Sequence, residues 1–72
     1  MAEAEFLVKL GENIKKHREL LGINQSALAL RCDTDRQNMS RIEKGRVNIS
    51  MTTLKKIADA LEVPVKALVD FK

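Results

Sequence analysis

Seventy-two residues, 44% of them hydrophobic and 32% charged, with Phe6 and Phe71 as the only aromatics, describe one small domain spanning 1–72 and exclude a second core. Thirteen basic side chains against ten acidic ones leave a net charge of +3, which favours an anionic partner. No apolar run approaches the roughly 18 residues that would span a bilayer, and the acidic opening Ala2 to Glu5 lacks a signal peptide's basic start, so a cytoplasmic protein with no membrane partner is expected.

One cysteine, Cys32, can form neither an internal disulfide nor a zinc site by itself, so the core must stand on ordinary packing, without metal or cofactor. His17 is the only histidine, and no glycine-rich phosphate loop or other catalytic spacing is present, which argues against an enzyme. The three glycines, Gly11, Gly22 and Gly45, lie far apart, as punctuation between elements.

From Phe6 onward, Phe6, Leu7, Leu10, Ile14 and Leu21 fall near three- and four-residue spacing, one stripe of a helix that ends before Gly22. Asn24 can cap a short second helix with Leu28, Ala29 and Cys32 inward, before the polar run Asp33, Thr34 and Asp35. Asp35 can cap a third from Arg36 to Lys44, with Met39 and Ile42 on its buried face and Gly45 suited to the left-handed position beyond its end. Ser50 can cap a fourth, in which Leu54, Ile57, Ala58 and Leu61 repeat cleanly. Pro64 is tolerated in the first turn of a fifth running to about Val69. Val47 to Met51 contains β-branched residues but has no ladder partner, so it reads as a loop and the chain as an all-α, five-helix bundle.

Two short helices joined by about three residues, the second carrying Arg36, Gln37, Ser40, Arg41 and Lys44 opposite Met39 and Ile42, have the layout of a helix-turn-helix DNA reader. Arginine can pair bidentately with guanine and glutamine with adenine, each worth about 1–3 kcal/mol of discrimination. Four of the five arginines, Arg31, Arg36, Arg41 and Arg46, surround this helix, whereas Met1 to Glu12 holds three glutamates and one lysine. A polar helix face is also what any solvated helix shows, so spacing alone leaves both readings open.

The run GINQSALALRCDTDRQNMSRIEKG, residues 22–45 with the motif at about 24–45, resembles the helix-turn-helix of the Cro and lambda-repressor-like, or XRE, family. The likeness extends to LGENIKKHREL before it and NISMTTLKKIADALEVP after it. It implies the five-helix fold of those repressors and a transcriptional regulator that reads double-stranded DNA. By position, Gln25 matches the family glutamine that contacts a phosphate and braces the recognition helix, and Leu28 and Ala29 match its packing pair. Arg36, Gln37 and Arg41 match its base-reading positions, with Ser40 beside them. Thr34, Asn38, Lys44, Arg46 and Asn48 fall where the DNA backbone is followed. Arg18 and Glu43 match an ion pair tying helix one to the end of helix three, and Asp33 stands where the turn usually has glycine.

His17, often apolar in that family, reads as a satisfied side chain and not a ligand. Cys32 reads as a small buried hydrophobe and not a redox sensor. Family members read DNA as homodimers on pseudo-palindromes, and Met51, Val65, Val69 and Phe71, within the C-terminal helices 51–70, are candidates for that interface or else for the core. The compact size and RVNISMTTLKKIADALEVP are similar to restriction-modification controller proteins. The competing reading is a protein-interaction module, such as the antitoxin of a toxin-antitoxin pair, meeting a protein partner through Leu20, Leu30 and the C-terminal patch.

Overall fold

The computed structural model describes residues 1–71, and among them it contains five helices and no strand: α1 (Glu3–Leu21), α2 (Gln25–Arg31), α3 (Arg36–Glu43), α4 (Met51–Leu61) and α5 (Val65–Leu68). Three of the starts are set by the side chains the sequence offers. Asn24 Oδ1 accepts from the Ala27 amide at 2.8 Å, Asp35 Oδ1 from Asn38 at 2.7 Å, and Ser50 Oγ from Thr53 at 3.1 Å. Each cap contributes about 1 kcal/mol by satisfying an amide that the helix itself cannot.

The ends depart from expectation in three places. α1 starts at Glu3, not Phe6: Ala2 is extended and its carbonyl accepts from Phe6 N at 2.9 Å, while Glu3 and Glu5 complement the positive end of the helix. α3 closes at Glu43, and Lys44 is the residue flanking it. Pro64 flanks α5 instead of occupying its first turn, and the helix stops at Leu68. Gly11 is a fourth correction, since it sits inside α1, buried, and punctuates nothing.

Ile14, Leu28, Met39, Ile57 and Leu68, one from each helix, are fully buried side chains. Each contributes about 1.5–3 kcal/mol by leaving water, and together they define one core onto which α1, α2, α3, α4 and α5 all fold. Cys32 is buried in the same cluster and packs as a small hydrophobe. Burial, and then the nearby Asp33, push its thiol up from its ordinary value, keeping it neutral. The C-terminal segment is tied back to α1: Asn13 Nδ2 donates to the carbonyl of Leu68 at 2.9 Å, and Phe71 meets Phe6 edge-on with ring centres 5.1 Å apart. Among the described residues no helix is long and apolar enough to cross a membrane.

Candidate nucleic-acid interface

The turn between α2 and α3 is built from backbone bonds. The amide of Cys32 reaches the carbonyls of Leu28 and Ala29, and that of Thr34 reaches Ala29 at 3.0 Å. Asp33 supplies the reversal with φ 56, the left-handed region where the sequence pattern expects glycine; aspartate enters it at less cost than most residues. Asp35 then returns to extended backbone and caps α3.

Beneath α3 lies one charged cluster. Arg18 Nε donates to Glu43 Oε2 at 2.7 Å and Nη2 to Oε1 at 3.1 Å, while Gln25 Nε2 donates to the same Oε1 at 3.0 Å. A third Arg18 nitrogen, Nη1, donates to the Ile23 carbonyl at 3.0 Å. The Glu43 side chain is 2% exposed and that of Arg18 10%, so each charge depends on the other for solvation. The hydrogen bond that the guanidinium donates to Glu43 pushes it up from its ordinary value, against the opposing effect of burial. One carboxylate thereby joins the C-terminal part of α1, the start of α2 and the end of α3, fixing the attitude of α3 to the body of the protein.

The opposite side of α3 carries the residues expected to meet DNA. Arg36, Gln37 and Arg41 are exposed and Ser40 half-buried; Lys44, Arg46 and Asn48 continue as exposed residues into the following loop. Among the described residues none of these seven side chains has an intramolecular hydrogen-bond or ion-pair partner, so all are free to engage a ligand. Gln25, Thr34 and Asn38 differ: they are half-buried, Gln25 is engaged with Glu43, and Asn38 Nδ2 donates to Thr34 Oγ1 at 2.8 Å. Arg31 does not belong with the basic surface around α3. Its Nη1 donates to the Ala60 carbonyl at 2.9 Å and lies 3.9 Å from Glu62, where it neutralises the carbonyl end of α4.

Two glycines let α1 and α3 approach. A Cβ on Gly11 would overlap the Glu43 carbonyl, and one on Gly45, whose φ is 71, would lie 2.6 Å from the Val8 backbone. Neither contact follows from a local signal, because each depends on where a distant helix ends.

On another face, an apolar groove of about 850 Å³ runs between the start of α1, the loop before α4, and α5. Met51, Val65 and Val69 line it, Met51 standing 75% exposed at its edge. Phe71 lies outside the lining and packs on Phe6 instead, whereas Phe6 and Leu7, read from sequence as part of the apolar stripe of the first helix, help to form the groove wall. Leu20 and Leu30 are 73% and 79% exposed. Among the described residues no cluster of three or more metal-ligating side chains occurs.

A braced helix that presents arginine and glutamine beside a capped turn defines a class. The chain belongs to the helix-turn-helix family, whose model matches residues 14–68, and its class is the DNA-binding transcriptional regulator of the XRE type. Within that family it is similar to restriction-modification control proteins. It is 43% identical over 49 residues to control protein C.BamHI of Bacillus amyloliquefaciens, a stretch covering 68% of this chain and 60% of that protein. Control protein C.MunI of Mycoplasma sp is 34% identical over 62 residues, 85% of this chain and 84% of that one. The crystal structure of the controller protein C.AhdI from Aeromonas hydrophila superposes with a TM-score of 0.89 at 29% identity, covering 94% of this chain and 99% of that chain.

Proposed function

We propose that this protein is a sequence-specific regulator that places α3 in the major groove of duplex DNA and acts as a homodimer on a pseudo-palindromic operator. The observation that carries the proposal is the pairing of a free Arg36, Gln37 and Arg41 face with the Glu43 brace on the other side of the same helix. Base reading needs donors held in register, because a bidentate contact is lost by small rotations of the helix. Arg36, Gln37, Ser40 and Arg41 read bases in this scheme, and Lys44, Arg46 and Asn48 follow the phosphates with Gln25 on the other flank. Two copies joined through the Met51 groove place two α3 helices about 34–36 Å apart, one turn of DNA. Similarity to control proteins supports restriction-modification genes as the regulated target.

Selection from randomised duplexes at near-physiological salt tests this directly. Enrichment of two inverted half-sites about 10 base pairs apart is the expected outcome. Folded protein that enriches nothing, yet forms a salt-insensitive complex with another protein through the exposed Leu20 and Leu30, would instead establish the interaction-module reading.

A further inference from the structure

A polar cleft of about 450 Å³ separates α1 from the segment that follows α5, lined by Asn13, Lys16, His17, Ala67 and Asp70. Asn13, Lys16 and His17 stand three and four residues apart, so they share one face of α1. Asn13 holds the other wall in place: its Nδ2 donates to the Leu68 carbonyl at 2.9 Å and, more loosely, to the Asp70 carbonyl at 3.4 Å. Both amide hydrogens are thereby spent on backbone, while Oδ1 accepts from no donor among the described residues. Leu68, fully buried, anchors the same segment in the core. Opposite charges stand apart across this cleft. Lys16 and Asp70 are both exposed and both line it, yet among the described residues no ion pair joins them. Asp70 makes none with Lys9 either, in the smaller hollow on its other side, where Lys9 lies 3.8 Å from Glu5. His17 is half-buried without a hydrogen-bond partner among the described residues, in contrast to the satisfied side chain expected from sequence.

The geometry points to a binding site for a small zwitterion of the free α-amino acid class. In this site Lys16 and an N–H of His17 take the carboxylate, and the Asp70 carboxylate and Asn13 Oδ1 take the ammonium. The class follows from the charges. Those of Lys16 and Asp70 cancel, so a simple anion meets the Asp70 carboxylate and a simple cation meets the Lys16 ammonium, whereas a ligand carrying both signs pairs with both. A metal ion is not suited, because His17 and Asp70 are two ligands and no cluster of three occurs among the described residues. A peptide is not suited either, since its terminal charges are held apart by its length. Ala67, the one apolar residue of the lining, leaves room for a short ligand side chain. None of the five residues belongs to α3 or lines the Met51 groove, so the site is independent of both.

The test titrates the full chain with glycine, the smallest zwitterion of the class, against acetate and methylammonium at matched ionic strength, following amide and side-chain resonances. Saturable glycine shifts centred on Asn13, Lys16, His17 and Asp70 are expected, with a dissociation constant on the order of 1 mM for so open a site. Acetate and methylammonium, each supplying one charge, should bind about tenfold more weakly. Lys16→Gln and Asp70→Asn change exposed side chains, so both should keep the wild-type thermal midpoint while weakening glycine about tenfold. Glycine shifts that do not exceed those of the two single-charge ions, or that persist unchanged in either variant, overturn the inference. Acetate binding as tightly as glycine, and more tightly still in Asp70→Asn, would make the cleft a plain anion site and overturn it too. No step uses DNA or a dimer, so the outcome is read whether or not the operator proposal holds.

Discussion

Glu43 is where a single side chain ties three helices together. Its carboxylate accepts from Arg18 twice and from Gln25 once, in a site that excludes water. Glu43→Ala leaves the Arg18 guanidinium buried without its counter-charge, so it should cost about 3–5 kcal/mol and lower the thermal midpoint by at least about 12 °C. A midpoint within 2 °C of wild type, on the order of the noise expected for a neutral surface change, would remove the brace from the argument. Glu62 makes the opposite case. It ends α4 in the left-handed region at φ 63 and ψ 36, a conformation that glycine enters freely and glutamate does not. Glu62→Gly should therefore stabilise the protein by about 1 kcal/mol, a gain only slightly reduced by losing the exposed 3.9 Å contact with Arg31, and calorimetry should show a higher midpoint. Asp33 was legible as a strained turn residue because family glycine marks that position. Glu62 was not, because nothing in the run Leu61 to Val63 announces a left-handed stop; the end of α4 is imposed by Pro64 and by the packing of α5.

At the scale of helices, local chemistry and tertiary contact make separable demands. The starts at Asn24, Asp35 and Ser50 were readable, since a capping oxygen acts within three residues of itself. The buried faces of α2, α3 and α4 were readable for the same reason, through their spacing. Gly11 was misread, because its role is set by α3, thirty-two residues on, whose last carbonyl meets α1 at this position. Gly11→Ala puts the two demands in opposition. Helix propensity alone favours alanine by about 1 kcal/mol in the middle of α1. Overpacking against the backbone carbonyls of Ile42 and Glu43 costs about 1–3 kcal/mol and also shifts the end of α3. The expected outcome is net destabilisation together with weakened operator binding. A more stable variant with unchanged affinity would mean that α1 and α3 separate without consequence.

Across the whole molecule, the charge is +3, and the exposed Arg36, Arg41, Lys44 and Arg46 on and just after α3 form a basic side. The sequence window counted Arg31 in that side; the fold assigns it to the end of α4, because a window along the chain cannot distinguish the two sides of a two-turn helix. Two kinds of defect should then separate. Lys44→Ala or Arg46→Ala should weaken binding to every sequence and lower the salt slope by about one each. Arg36→Ala or Gln37→Ala should relax preference at particular base pairs by about 1–3 kcal/mol and leave the others unchanged. Met51→Lys belongs to neither kind. It puts an ammonium on the rim of an apolar groove that includes Phe6, Val65 and Val69, and its 75% exposure means that the monomer fold does not depend on it. On the proposed dimer, sedimentation should show the variant monomeric at concentrations where the wild type pairs, full-operator affinity should fall, and affinity for an isolated half-site should hold, because α3 and its brace are untouched. Loss of half-site affinity as well would show that the groove supports the reading head through Asn48, which lines it and lies in the loop after α3, and not through a second copy.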